Sequence, residues 1–313
     1  MFHEICICTT GQRHEMVIEL LDDLSRCDGV EKCKVRIIIN GLSGTIFYLE
    51  NYLKKAKFPI SVEFARPGLA SARNYALATS ISEIITFLDD DVNVERNFIE
   101  SIENIFENNP NVVGTSPIIR DQYLDLLTTN LGRLKYYFIE KFFQGKITKS
   151  GLNYWIMHSE KSLMNRKVMW LPGCCMSYRT SSIINIKFPE ELQYGPMGGY
   201  SLGEDIVFSN RILAMGDLYS NTKTIVEHKK AQSARNEREL ISEGIGRLLA
   251  FLCKEKPPTV LISRVVIRLF REICLQALKS ILFWKKFDNL RLKSREIIYF
   301  VGELNSPKLV SRE

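Results

Sequence analysis

The sequence has little of what small stapled proteins are built from. Its eight cysteines, Cys6, Cys8, Cys27, Cys33, Cys174, Cys175, Cys253 and Cys274, include no C-x-x-C pair, which argues against structural zinc. No secretory leader is read ahead of them, so free thiols in a reducing cytosol are expected. No run of about 20 apolar residues is present to span a bilayer. There is no internal repeat and no low-complexity tract. The net charge of +6 is mild for 313 residues, and no nucleic-acid partner is expected.

What is present suits a large core. The chain is 45% hydrophobic, enough for one large α/β domain with an appendage or for two smaller domains. "HEICICTT", "KVRIIIN", "ISVEFAR" and "EIITFLDDD" read as buried strands. They alternate with helical patterns in "RHEMVIELLDDLSRC", "TIFYLENYLKKAK" and "PGLASARNYALATS". This order predicts a mostly parallel sheet flanked by helices, with right-handed crossovers. "VERNFIESIENIFENNP" reads as a further helix and "NVVGTSPIIRD" as a strand. From about Gln122 to Lys167 the pattern fades into an aromatic-rich insertion; it returns with "VMWLPGCCMSYRTSSII", a helix in "GEDIVFSNRILAMG" and an extended "LYSNTKTIVEHKK".

One strand ends abnormally. In "SEIITFLDDDVNVERNF" an apolar run meets Asp89, Asp90 and Asp91 directly. Three adjacent carboxylates repel one another unless a cation or a hydrogen-bond donor sits among them. Ligands of such sheets collect beyond the carboxyl ends of the strands, where these acids fall.

Strand-end "FLDDD", upstream "RPGLASARNYAL", downstream "LPGCCMSYR" and then "GEDIVFSNRI" resemble, in that order, the family 2 glycosyltransferases of the Rossmann-like GT-A fold, over roughly Ile5 to His228. The resemblance implies inverting transfer of a sugar from a nucleoside diphosphate, UDP by family habit, to a glycan or lipid-linked acceptor. It implies a divalent cation, Mn²⁺ or Mg²⁺, held by carboxylates against the departing diphosphate. Asp89 and Asp91 match the ends of the D-x-D motif; Asp91 is the expected metal ligand, Asp89 a ribose or water-mediated metal contact, and Asp90 is grouped with the donor site. Arg73 would face the nucleotide and Asn74 hold the strand-end loop. Thr9 and Asn40 end the first two strands; Asn40 stands where the family carries an aspartate that pairs with the base. Glu204 and Asp205 match the E-D pair, Asp205 as acceptor-side base and Glu204 as orienter. Arg211 would meet a phosphate, Gly173 would admit a sugar closely, and His228 would be a further metal ligand. The implied domains are a catalytic 1–230, with a nucleotide-sugar half at 1–120, an insertion at 121–167 and an acceptor half at 168–230, followed by a helical, amphipathic 231–313.

Two other classes stay open at this point. "FLDDDV" also fits the D-x-D-x-V nucleophile motif of haloacid dehalogenase-type phosphatases and phosphotransferases, with Asp89 attacking. A non-catalytic, membrane-associated interaction protein could keep the same fold. From Thr259 to Trp284 the chain is apolar but interrupted by Arg264, Arg268, Arg271 and Lys279. With Lys285 and Lys286 this predicts a helix on an anionic membrane surface over 259–287; the alternative is packing on the catalytic domain or on a second copy in a homo-oligomer. The expected location is cytoplasmic, peripheral on the inner face of the cytoplasmic membrane, with a bacterial surface glycan on a lipid carrier as acceptor. The insertion around Tyr136 to Trp155 would select the sugar.

Overall fold

The computed structural model describes residues 1–41, 46–121, 145–147, 165–193, 202–229, 244–245, 247–252, 265–270, 272 and 288–305. Its contacts divide the chain into two compact units. The first comprises 1–146, 154–188 and 208–231; the second comprises 147–153, 189–207 and 232–313. The insertion expected over 121–167, including Tyr136 to Trp155, lies almost entirely outside the described residues.

The first unit carries the sheet. Its opening strands are β1 (His3–Thr9), β2 (Cys33–Ile39), β3 (Ile60–Phe64) and β4 (Ile84–Asp89). They are parallel, with Ile7 opposite Ile37 of β2 and Leu88 of β4. Both faces of β1 are buried, which is why it reads as a continuous apolar run. The short β5 (Val92–Val94), the long β6 (Val112–Asp121), β7 (Arg166–Val168), β8 (Cys175–Arg179) and β9 (Asp217–His228) complete the sheet in the order β3-β2-β1-β4-β8-β6-β9-β5, with β7 also on β9. Strand β8 runs antiparallel to β4 and β6, whereas β9 is parallel to β6. The parallel first half is as the alternating pattern predicts.

Helices cover both faces. On one, α1 (His14–Ser25) buries Val17, Leu20, Leu21 and Leu24 at helical spacing, and α4 (Phe98–Asn108) buries Phe98, Ile99, Ile102, Ile105 and Phe106, against Ile5 and Ile7. α2 (Ile46–Leu53) contributes Leu49 there. On the other face α3 (Leu69–Thr79) packs Ala70, Ala72, Ala76 and Leu77 against Cys6 and Cys8, the alternate residues of β1. The one-turn α5 (Thr180–Ile183) closes that side with Ile183. Among the described residues Cys6, Cys8, Cys27, Cys33, Cys174 and Cys175 are buried and form no disulfide. Burial pushes the Cys8, Cys27 and Cys33 thiols up to about 12, so they act as small core residues.

Polar groups inside the sheet are matched to one another. The His3 ring bridges Glu103 (3.3 Å) and the Thr86 hydroxyl (2.8 Å), and Thr86 meets Ser177 at 2.7 Å across β4 and β8. Arg36, 1% exposed, donates to Glu63 at 2.9 and 2.7 Å, to the Ala76 carbonyl at 3.1 Å and to Glu4 at 3.4 Å.

The structure departs from expectation at one stretch of the first unit. The "VER" start of the expected helix is instead strand and turn, because Val92 pairs with His228 and Val94 with Val226 on β9; α4 begins only at Phe98.

The second unit is helical in its described parts. α6 (Glu204–Ile212) begins in it, and α7 (Asp288–Asn305) is its longest described element. Gly203 has φ +88°, and a Cβ there would stand 2.6 Å from Leu248, so the turn into α6 requires glycine. Of the 259–287 stretch only 265–270 and 272 are described. Val265 and Leu269 pack with Leu249, Ala250 and Phe300. Arg268, 7% exposed, pairs with Glu272 (3.1 Å) and Glu296 (3.6 Å). Val266, Ile267 and Phe270 are exposed. Among the described residues no helix is long and apolar enough to cross a membrane.

Replacing Arg36 tests the buried network. Arg36→Gln strands the carboxylates of Glu4 and Glu63 and is expected to cost about 3–5 kcal/mol in chemical denaturation. The Arg36 hydrogen bond holds the Glu63 carboxyl below its usual range against burial. Wild-type stability from this contact is therefore present above the unfolded carboxyl range and lost as pH falls through the folded value. Acid unfolding of Arg36→Gln should lack that component.

Candidate functional site

The parallel register gathers the strand ends. Cys8 pairs with Asp89 across β1 and β4, and Thr9 pairs with Ile39 across β1 and β2. The Thr9 carbonyl accepts the Asn40 backbone N–H at 2.9 Å. Thr9, Asn40 and Asp89 thus share one edge, the one on which open α/β sheets bind ligands. Two loops close against each other there: a Cβ on Gly41 would lie 2.3 Å from the Thr10 carbonyl oxygen. The Thr9 hydroxyl accepts the Gly11 N–H at 3.0 Å and donates to Asp90 Oδ2 at 2.5 Å, so it ties the first loop to the acids.

The acids are held by two arginines. Asp89 Oδ1 accepts from Arg73 Nη2 at 3.1 Å, and the same nitrogen donates to the Gly173 carbonyl at 2.8 Å. Arg73, read as facing the nucleotide, is 1% exposed and lies 5.5 Å over the Phe188 ring, so its visible work is to hold Asp89. Asn74, beside it on α3, clamps the Phe188 backbone, donating to its carbonyl at 3.0 Å and accepting from its N–H at 2.8 Å. Gly173 enters through its carbonyl, and the adjacent Cys174 carbonyl accepts the Asp89 N–H at 3.0 Å. Asp90 and Asp91 share one guanidinium: Arg13 Nη2 is 2.6 Å from Asp90 Oδ1 and Nη1 is 2.6 Å from Asp91 Oδ2. The Asp90 contact is an ion pair without hydrogen-bond alignment.

The pairing of β5 with β9 brings His228 in. Its Nε2 lies 3.3 Å from Asp91 Oδ1, and the Lys229 N–H donates to the Asp91 carbonyl at 2.8 Å. One ligand atom each of Asp89, Asp91 and His228 falls within 4.8 Å of the others. Asp91 Oδ1 is buried and, among the described residues, has no well-aligned hydrogen bond; its neighbour there is His228 Nε2. Two carboxylates and an imidazole fit a divalent cation with hard to borderline preferences, such as Mn²⁺ or Mg²⁺.

Electrostatics separate the acids. Burial raises the Asp89 carboxyl to about 6, against the pull of Arg73, and burial also raises Asp90, against its Thr9 hydrogen bond. For Asp91 burial is outweighed by His228 and Arg13, which hold the carboxyl below its usual range. Asp91 is therefore the most firmly ionised of the three.

Asn40 is 6% exposed, and among the described residues its Oδ1 has no hydrogen-bond partner. Arg211, read as a phosphate contact, is half-buried and donates to the Lys187 carbonyl. Glu204 and Asp205 stand in the second unit, at the first turn of α6. Glu204 is buried, and Asp205 Oδ1 accepts the Ile206 N–H at 2.8 Å. Arg13 is the residue that sequence reading missed. Its only signal is a basic side chain just ahead of the first helix, on the loop leaving β1.

Comparison with known proteins follows the geometry. The model of glycosyl transferase family 2 matches residues 5–181, more than half of the chain; the match ends before Glu204, Asp205, Arg211 and His228. No curated protein matches the sequence. Among solved structures, residues 1–349 of S. aureus TarS are similar with a TM-score of 0.56 at 14% identity, over 97% of this chain and 81% of that one. A mannosyltransferase of Pyrobaculum calidifontis, PcManGT, solved with GDP-Man and Mn²⁺, gives 0.60 at 14% identity, over 97% and 87%. GalNAc-T7, solved with UDP, GalNAc and Mn²⁺, gives 0.60 at 11% identity, over 97% of this chain and 56% of that one. These likenesses show the GT-A fold.

The donor set is testable directly. Mn²⁺ titration followed by electron paramagnetic resonance is expected to show binding that Asp91→Asn abolishes and that His228→Gln weakens at least about tenfold. Equal affinity in His228→Gln would remove the histidine from the set.

Proposed function

We propose that this chain, which belongs to glycosyl transferase family 2, is an inverting, metal-dependent transferase. It would move a sugar from a nucleoside diphosphate, UDP in first place, to a lipid-linked bacterial surface glycan. The observation that carries the reading is the convergence of Asp89, Asp91 and His228, with the buried Asp91 Oδ1 facing the histidine, at the strand ends where a nucleotide would lie. Similar folds holding UDP or GDP-Man with Mn²⁺ support it. A non-catalytic role would not need this set of ligand atoms.

In this reading Asp91, Asp89 and His228 would hold a divalent ion, which would supply charge stabilisation for the departing diphosphate. Arg73 keeps Asp89 oriented through its 3.1 Å hydrogen bond. Asn40 receives a ring N–H of the base on its free oxygen, and Thr9 keeps Asp90 in place. Asp205 takes the proton of the acceptor hydroxyl as that oxygen bonds to the anomeric carbon; the bond from that carbon to the diphosphate breaks, and the nucleoside diphosphate leaves. Glu204 orients the acceptor or the base. Attack opposite the leaving group inverts the anomeric centre. Exposed Ile267 and Phe270 of the second unit would lie at an anionic membrane surface and bring the enzyme to its acceptor.

The decisive experiment is a screen of sugar nucleotides for metal-dependent hydrolysis and transfer. Asp205→Asn is expected to lose about 10²–10⁴-fold in transfer while calorimetric binding of UDP with Mn²⁺ stays near wild type. Transfer at a normal rate would take Asp205 out of the mechanism, and a product of retained configuration would overturn inversion. Ile267→Asp with Phe270→Asp should reduce flotation on anionic vesicles; unchanged flotation would exclude this face.

A further inference from the structure

We propose that Arg13 is the resident counter-cation of the Asp90 and Asp91 carboxylates, a positioning residue that yields to the divalent ion and then pairs with the diphosphate of the donor. The inference rests on the metal-dependent reading above and adds a residue and a coupling to it.

The two arginines at the acids are held differently. Arg73 is 1% exposed and fixed between Asp89 and the Gly173 carbonyl; leaving would bury an unpaired charge or break both contacts. The Arg13 side chain is 36% exposed. Its backbone is anchored, since its carbonyl accepts the Val17 N–H at 3.1 Å as α1 begins, yet its side chain makes no capping hydrogen bond. A long side chain on a fixed backbone at the rim can swing without disturbing the core.

Its present contacts compete with an ion. Arg13 covers Asp91 Oδ2, while Oδ1 of the same carboxylate faces His228 at 3.3 Å. An ion ligated by Asp91 would place two positive charges next to a guanidinium on the same group. Like charges at that range repel, and the carboxylate drawn to the ion holds the guanidinium less tightly. Asp90 keeps the Thr9 hydroxyl on Oδ2 and gains the field of the arriving ion, so it can release Arg13.

A displaced guanidinium on this rim needs an anion. The donor supplies a diphosphate whose paired oxygens match the planar fork of arginine. Metal and donor would therefore bind with positive coupling: the ion frees the arginine, and the donor captures it. Without metal, the same arginine keeps Asp90 and Asp91 from repelling one another.

Mn²⁺ affinity without nucleotide and UDP affinity at saturating Mn²⁺ separate this from a structural role. Arg13→Gln is expected to bind Mn²⁺ roughly threefold or more tightly and UDP about tenfold more weakly, opposite signs that a general loosening of the loop cannot produce. Arg13→Lys keeps the charge but cannot bridge both acids, so each affinity should fall between Arg13→Gln and wild type. Unchanged or weaker Mn²⁺ binding in Arg13→Gln overturns the proposal. Should Arg13→Gln fail to fold, Arg13→Lys with wild-type Mn²⁺ affinity overturns it equally. Absence of Mn²⁺ binding in the wild-type protein is a different result, which removes the metal-dependent reading itself.

Discussion

Three carboxylates on consecutive residues at the end of a buried strand are the constraint around which the first unit is organised. Two unit charges about 4 Å apart repel by roughly 4 kcal/mol at the effective dielectric of a protein surface, and Asp90 is fully buried. Such a cluster persists only if cations and donors arrive from elsewhere in the chain. Arg73 comes from α3, Arg13 from the loop after β1, His228 from the end of β9 and the Thr9 hydroxyl from the end of β1. Every one of these contacts is distant in sequence, so the site exists only once the sheet has formed.

The packing around the acids can be understood as support for those partners. Arg73 lies against the Phe188 ring, which stacks on Phe208 at 3.7 Å, and Asn74 holds both the N–H and the carbonyl of Phe188. The cysteines of β1 and β8 fill the narrow spaces on the two faces of the sheet, where burial keeps them protonated. The acids divide by surroundings: burial raises the Asp89 carboxyl to about 6, whereas His228 and Arg13 hold that of Asp91 below its usual range.

Much of this was legible from residue order. The continuous apolar runs of β1, β2 and β4 mark strands buried on both faces, since a parallel sheet covered by helices leaves no polar side. Val17, Leu20, Leu21 and Leu24 mark α1 by their spacing. The abrupt "FLDDD" marks a ligand site because uncompensated acids are not tolerated there, and "SARN" and "LPGCC" are in fact the segments that touch it. The short β5 was not legible: three residues have no period to detect, and "VNVERNF" carries enough helical character to be read as the lead-in to α4. Arg13 was missed for a related reason, since a lone arginine beside a helix start has no local mark of its partners.

What the sequence by itself determined, then, is the kind of element at each position and the presence of an acidic strand end needing a cation, because both follow from side chains near in the chain. Which cations answer it was decided only by tertiary structure. His228 reaches Asp91 because β9 pairs with β5 so that Val92 faces His228. Arg13 reaches Asp90 and Asp91 because β1 lies beside β4 and ends level with it. Strand register is a cooperative property of the whole sheet, and no local pattern around His228 or Arg13 encodes it.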